Sequence, residues 1–517
     1  MSEVTPIAEA PETGSDTYGQ ILESSALIGG SSVLNIVIGT VRTKAMAMLL
    51  GPAGFGLFGI YGSIANLSQC LAGMGIYSSG VRQIAHAVSS NDNEQIARTS
   101  AVLRKTSLIL GVLGTALVAI FSRRISNFTF GNDQHTGAVL LLSLAVFVHL
   151  VSDGQGALIH GMRHIHDLAK MGVLGAIFGT LISLSLVYFL RENGVVPSIV
   201  AVALISLSVS WWYSRKIHIQ SPSMTASQVK QEVSDLLKLG FAFMTSGLMG
   251  VGAAYAVRII VLRYVSAEAT GFYQSAWTLG GLYVGFILEA MGADFYPRLT
   301  ASARDNAACN RLVNEQTQVG LLLAGPGVIA TLTLAPVVIA LFYSAKFSAA
   351  VAILRWISLG TILQVITWPM SYMVIAKGKR VIYFGIELAW GLVSIGMAFL
   401  CVKAFGLNGA GIAFFGSNIV YGLLLIPIVR RLSGFRWSRA NRKTAVLFLG
   451  LIALVFSGFY VLPFVLAACL GALVMVLSAV YSIRVVVTLV SLDRIPRPIR
   501  WVLTGLNLAP SGGTWAD

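Results

Sequence analysis

Residues 168–213 read LAKMGVLGAIFGTLISLSLVYFLRENGVVPSIVAVALISLSVSWWY, and this stretch decides the fold class. No charged side chain lies between Lys170 and Arg191, and none between Glu192 and Tyr213. A helix rises about 1.5 Å per residue, so about 20 apolar residues cross the roughly 30 Å hydrocarbon core of a bilayer. Each half of the stretch has that length, and the polar break Arg191–Gly194 marks a return at a membrane surface. In hydrocarbon the backbone must satisfy its own hydrogen bonds, which leaves a helix as the conformation for runs of this kind. Trp211, Trp212 and Tyr213 end the second run, where an interfacial aromatic belt belongs.

The same pattern fills the rest of the chain. Its 517 residues are 56% hydrophobic and 11% charged, with a mean hydropathy of +0.78; a typical soluble chain is about 25% charged. Further apolar runs fall near 24–48, 56–81, 102–121 and 137–159 before this stretch. After it they fall near 239–262, 271–294, 318–342, 350–375, 381–402 and 408–429, and a last pair, 444–462 and 464–486, is split at Pro463. The reading is an all-α polytopic membrane protein of about 14 transmembrane helices. Its expected organisation is an acidic tail (1–23), an N-lobe of six helices (24–214), a linker (215–238) and a C-lobe of six (239–430). A helical hairpin (431–490) and a final tail (491–517) follow.

The formal net charge of +15 would prompt a search for nucleic acid in a soluble protein. Here it follows topology. With the N-terminus inside, 26 of the 36 Lys and Arg residues fall in inside segments and 6 outside, while Arg42, Lys44, Arg258 and Arg355 lie within apolar runs. The positive-inside rule therefore predicts that both termini are cytoplasmic, and no nucleic acid is needed to explain the charge. Cys70, Cys309, Cys401 and Cys469 form no CxxC pair, so neither a zinc site nor a disulfide framework is expected. Residues 1–23 hold five acids and no Lys or Arg, the opposite of the basic n-region of a signal peptide.

Two stretches echo each other. Arg42, Gly56-Leu57-Phe58, Asp92-Asn93 and Arg98 parallel Arg258, Gly271-Phe272-Tyr273, Asp305-Asn306 and Arg311. Six helices separate the copies, an even number, so both insert the same way up. Parallel repeats of this kind make two lobes related by an axis along the membrane normal, with transport sites where the halves meet.

Several short motifs carry a family resemblance. Gly51-Pro52-Ala53-Gly54-Phe55-Gly56-Leu57 resembles the Wzx-type lipid-linked oligosaccharide flippases, in the polysaccharide transporter branch of the multidrug/oligosaccharidyl-lipid/polysaccharide exporter superfamily. Gly131-Asn132, Gly161-Met162-Arg163, Tyr296-Pro297-Arg298-Leu299, Lys346-Phe347, Val374-Ile375-Ala376-Lys377 and Gly406-Leu407-Asn408-Gly409-Ala410 are similar to the lipid III and O-antigen members. The resemblance covers about residues 20–430; the helix pair after residue 440 departs from twelve-span members but has a counterpart in fourteen-span lipid II flippases. It implies that the cargo is an undecaprenyl-diphosphate-linked oligosaccharide (an O-antigen, common antigen or exopolysaccharide repeat unit). It also implies movement from the inner to the outer leaflet of a bacterial cytoplasmic membrane by alternating access, beside a polysaccharide polymerase or chain-length machinery as partner.

A charge in hydrocarbon costs at least about 2.5–3.5 kcal/mol, so each embedded one needs a reason. Arg42, Lys44, Arg258 and Arg355 are candidates for a cationic cavity that binds a diphosphate, because Arg can fork onto two phosphate oxygens. Snorkelling to an interface is the alternative, and for Arg355, at the start of its span, the favoured one. Arg42 and Arg258 hold equivalent repeat positions, so a two-fold axis would set them face to face. Asp153, Glu289, Asp294 and Glu387 are candidates for coupling to Na+ or H+, with Asp153 and Glu289 the best placed. Structural ion pairs compete, most clearly for Asp294 and Arg298 at i,i+4.

His160, His164 and His166 read as loop residues rather than a metal site, and Gly54, Gly56 and Gly59 as a tight turn rather than a dinucleotide fingerprint, because no strand precedes them. No catalytic residue, metal or cofactor is expected. Two rivals remain open. A cation-coupled drug antiporter of the same superfamily should line its cavity with acids, and a membrane polymerase or acyltransferase should carry a large polar outside loop.

Overall fold

A computed structural model describes residues 14–217, 219 and 223–489. Of the tails read in the sequence, residues 1–13 and 490–517 lie outside the described residues. The described chain is helical throughout, with no strand. Its helices are α1 (Gly14–Gly73), α2 (Ile76–Ser89), α3 (Asn93–Ile120), α4 (Ser122–Phe130) and α5 (Thr136–Gly161). There follow α6 (Ile165–Leu190), α7 (Val195–Ser214), α8 (Ala226–Tyr264), α9 (Ala267–Ala301) and α10 (Asn306–Phe342). The last five are α11 (Ala350–Ala376), α12 (Arg380–Phe405), α13 (Asn408–Ser433), α14 (Arg439–Val461) and α15 (Phe464–Leu489).

Among the described residues, eleven helical stretches are long and apolar enough to cross a membrane, or twelve with the bent pair Ala267–Gly292 and Asp294–Ala301. Two of the eleven, Gly30–Gly73 and Ile165–Ser214, are 44 and 50 residues long. At about 1.5 Å per residue such lengths reach roughly 65–75 Å, twice a bilayer core. Each contains a break, and the fourteen runs read in the sequence count each as two. Gly51 breaks the first, with φ 68 and ψ −177, a conformation open only to glycine. Pro52 then restarts the helix at a position where a missing N–H costs nothing. In the second, a 3-10 turn over Arg191–Gly194 separates α6 from α7. α9 bends by 41° at residue 293, whose carbonyl loses its helical donor to Pro297.

The chain divides into two compact units, Met1–Tyr255 and Ala256–Asp517. The division falls inside α8, because the first part of that helix packs on α2. Ser79 Oγ donates to the Leu236 carbonyl at 2.8 Å. The backbones touch at two glycines: a Cβ on Gly75 (φ +65) would stand 2.1 Å from the Gly240 oxygen, and one on Gly240 would stand 2.3 Å from the Met74 oxygen. Small residues are what allow membrane helices to approach this closely. In the C-terminal unit, Phe448, Ile452 and Val455 of α14 and Val474 of α15 join Leu321, Ile329 and Leu332 of α10 in one buried cluster, which docks the terminal hairpin. Large apolar side chains such as Ile120, Phe189, Val381 and Val461 are exposed, as hydrocarbon-facing positions must be.

The two aspartates of the sequence echo do the same job. Asp92 accepts from the Gln95 N–H at the start of α3, and Asp305 from the N–H groups of Ala307 and Ala308 at the start of α10. Other family motifs prove to be turn chemistry: Gly131 and Gly406 have positive φ, and Lys377 Nζ donates to the Ala303 carbonyl (3.0 Å) and to Asn306 Oδ1 (2.6 Å).

Outside the spans, Arg123 Nε donates to Asp133 Oδ2 at 2.8 Å, and Asn127 donates to the same carboxylate. The hydrogen bond from Arg123 holds the Asp133 carboxyl below its ordinary value. A lowered carboxyl adds stability above its unfolded-state value, near pH 4, and loses it as pH falls through the folded value. Thermal midpoints followed from about pH 6 to pH 3 should therefore fall less steeply in Asp133→Asn than in wild type. Superimposable profiles would mean that the exposed pair contributes nothing.

Candidate functional site

In the N-terminal unit, Arg42 and Lys44 lie on α1 ahead of the Gly51 break. Both are half-buried, and neither side chain has a hydrogen bond or ion pair among the described residues. Two positions apart on a helix, they sit on different faces. Asp153 of α5 is half-buried and accepts from Gln69 Nε2 at 2.8 Å. It lines a cavity of about 330 Å³ with Asn66, Gln69, Tyr77, Phe243 and Met244, and no cationic side chain is among the lining residues. A carboxylate with one amide donor and an open cavity can take up a proton or coordinate a sodium ion with the neighbouring amide oxygens.

In the C-terminal unit, Arg258 is only 9% exposed. Its Nε donates to Gln274 Oε1 at 2.7 Å, and Gln274 Nε2 reaches Thr278 Oγ1 at 3.4 Å, so α9 orients the guanidinium through a chain of neutral groups. Tyr273, itself buried, lies close enough to interact with it electrostatically. The Gln274 contact engages the Nε–H of the guanidinium.

Arg355 has a different setting. Pro336 of α10 has no N–H, so the Leu332 carbonyl loses its helical partner, and Arg355 Nε supplies a donor at 3.2 Å. The guanidinium carbon sits 3.7 Å from the centroid of the Phe459 ring on α14, in a cation–π contact, while the Nη2 atom is buried with no hydrogen bond. These contacts tie α11 to α10 and to the terminal hairpin.

The remaining acids separate. Glu387 of α12 accepts from the Tyr421 hydroxyl on α13 at 2.9 Å. Asp294 and Arg298 form the i,i+4 pair that their spacing predicts, at 3.0 Å, with both side chains well exposed. Glu289 is exposed and has no ion pair among the described residues. His160 approaches the Tyr77 hydroxyl (3.2 Å) and His164 pairs with Asp167 (3.4 Å); no group of three or more metal-ligating side chains occurs among the described residues.

A search by charge passes over Gln69, Gln274 and Tyr421, although these neutral groups set the surroundings of Asp153, Arg258 and Glu387. Their signal is present in the sequence as polar amides and hydroxyls inside apolar runs, since a buried charge requires hydrogen-bond partners.

Comparison with known proteins agrees with this fold. A solved structure of the lipid II flippase MurJ, inward closed, superposes with a TM-score of 0.66 at 15% identity, covering 89% of this chain and 99% of that one. An inward-facing multidrug resistance MATE family transporter superposes with a TM-score of 0.63 at 16% identity, covering 80% of this chain and 99% of its own. The lipid III flippase of Escherichia coli (strain K12) is 25% identical over 411 residues, 78% of this chain and 96% of that protein. Residues 45–352 match the family model described as polysaccharide biosynthesis protein. That match spans more than half of the sequence, and the chain belongs to the polysaccharide biosynthesis protein family.

Proposed function

We propose that the chain is a flippase, not an enzyme, that moves an undecaprenyl-diphosphate-linked oligosaccharide from the inner to the outer leaflet of a bacterial cytoplasmic membrane by alternating access. The observation that carries this reading is Arg258, a guanidinium buried in a membrane span and oriented by Gln274. Likeness to the lipid III flippase over nearly its whole length supports the substrate class. Flipping needs no covalent step. It needs a cationic foothold for the anionic head and a second conformation that releases it. Arg258 supplies the foothold in the C-terminal unit; Arg42 and Lys44 are separate cationic candidates on α1 of the N-terminal unit. We assign Arg355 to docking the terminal hairpin. Asp153 is the acid assigned to coupling with Na+ or H+, because it lines a cavity beside Gln69 and Asn66 with no cation among the lining residues. The distribution of basic residues supports cytoplasmic termini and an even, fourteen-span topology, and the echo of Arg42 to Arg98 in Arg258 to Arg311 supports two parallel repeats within it.

The test is leaflet-resolved. Cells lacking the chain should accumulate lipid-linked oligosaccharide on the inner leaflet, and wild type should clear it. Asp153→Asn should clear it at a rate that no longer responds when the sodium or proton gradient is collapsed. An unchanged leaflet distribution in the deletion strain overturns the substrate, and Asp153→Asn behaving as wild type overturns the coupling role alone.

A further inference from the structure

The end of α13, the turn after it and the start of α14 carry six cations and no acid. Arg430, Arg431, Arg436, Arg439, Arg442 and Lys443 fall within residues 430–443. All six side chains are exposed, and none forms an ion pair among the described residues. Arg430, Arg436 and Arg442 line a single cavity of about 690 Å³ with Phe435 and Trp437.

Two features separate this cavity from an ordinary basic loop. First, its charges are placed against the local field. Arg439, Arg442 and Lys443 occupy the first turns of α14, where the helix dipole favours acids and disfavours cations. Second, the loop is rigidly built. Asn310 Nδ2 donates to the Ser433 carbonyl at 2.9 Å, and Ser433 Oγ donates back to Asn310 Oδ1 at 2.8 Å. Asn314 Nδ2 donates to the Arg436 carbonyl at 3.1 Å, while its Oδ1 accepts the Ser438 N–H at 2.8 Å. Asn441 Nδ2 reaches the Asn314 carbonyl at 2.7 Å. Phe435 is fully buried and stands edge-on to Trp437. The backbone that bears the arginines is thus fixed to α10, and no acid among the described residues pairs with them.

Planar guanidinium groups converging on one cavity suit phosphate oxygens. The cavity has room for more than inorganic phosphate. Its position also favours a lipid: two spans meet here, half-buried Trp437 has the amphipathic ring of an interface, and the basic-residue distribution assigns this end to the cytoplasm, whose anionic leaflet attracts such clusters. We propose that the cavity binds the phosphate headgroup of an anionic phospholipid and so moors the α14–α15 hairpin to the membrane surface. This site is independent of the cargo and of the flippase reading.

The full chain, purified in detergent, is titrated with short-chain phosphatidylglycerol, phosphatidylcholine or inorganic phosphate while the thermal midpoint and lipid occupancy are followed. Phosphatidylglycerol should bind and raise the midpoint, and phosphatidylcholine should not. A triple Arg430→Gln, Arg436→Gln, Arg442→Gln variant should bind it about a hundredfold more weakly, at roughly fivefold per basic residue. The isocharged control Arg431→Gln, Arg439→Gln, Lys443→Gln removes cations that do not line the cavity and should lose clearly less than the first triple. All six side chains are exposed, so both variants should fold. Equal losses in the two triples would reduce the site to a diffuse surface field and overturn the pocket. An equal effect of inorganic phosphate would make the occupant a free anion and overturn the lipid. No preference for phosphatidylglycerol over phosphatidylcholine would overturn both.

Discussion

Arg258→Ala should reduce flux of the lipid-linked cargo by about 10- to 150-fold while leaving the protein folded. A hydrogen bond to a charged group is worth about 1.5–3 kcal/mol, and each 1.4 kcal/mol is a factor of ten. The native guanidinium is already held by Gln274 at 2.7 Å, so its entropy of placement is settled before cargo arrives. Arg258→Lys keeps the charge but loses the planar fork, and should retain intermediate flux. Gln274→Leu keeps the guanidinium and loses its orientation, with a smaller loss than the alanine variant. The readout is inner-leaflet accumulation in cells, normalised to the amount of protein with a native thermal midpoint. Wild-type flux from well-folded Arg258→Ala would remove the cationic foothold and leave Arg258 a purely structural role.

Gly75→Ala should cost about 3–5 kcal/mol, enough to remove most of the folded protein when a domain's whole stability is about 5–15 kcal/mol. Two effects add. The left-handed φ of +65 costs a side-chain-bearing residue about 1–2 kcal/mol. The new Cβ would also stand 2.1 Å from the Gly240 carbonyl oxygen, a backbone atom that cannot rotate away. Relief requires α2 and α8 to separate, which endangers the Ser79–Leu236 hydrogen bond as well. Gly240→Ala meets the Met74 oxygen at 2.3 Å but lies inside helix α8, so it should show the contact cost without the φ cost. Gly250→Ala, on the same helix with nothing within 4 Å, should be neutral or slightly stabilising. Yield and thermal midpoint of the three variants separate these contributions. Equal behaviour of Gly75→Ala and Gly250→Ala would show that α2 and α8 do not make the close contact described.

The membrane class was legible in residues 168–213 because hydrocarbon imposes one requirement that composition can answer: each span must be apolar over about 20 residues and satisfy its own backbone. The breaks were legible where turn chemistry is local, as at Gly51-Pro52 and at the polar turn Arg191–Gly194. Asp294 and Arg298 were paired by spacing alone, since i,i+4 geometry is a property of the helix and not of the fold. Embedded charges were visible individually, because each is costly in hydrocarbon.

Their surroundings were not. Asp153 receives Gln69 from a helix 84 residues away in sequence, and Glu387 receives Tyr421 from a neighbouring helix. Arg355, one of four similar-looking cations in the sequence, meets a carbonyl orphaned by Pro336 and the Phe459 ring. The sequence by itself therefore determined the membrane class, the breaks at Gly51 and at Arg191–Gly194 and the inventory of embedded charge, because these depend on local composition and on the solvent. The break at Gly75, inside the run read as 56–81, it did not show. Only the tertiary structure decided which of those charges is held by an amide, which lines a cavity and which braces a kinked helix. Such partners come from helices far apart in the chain, and contact between them is set by packing rather than by spacing.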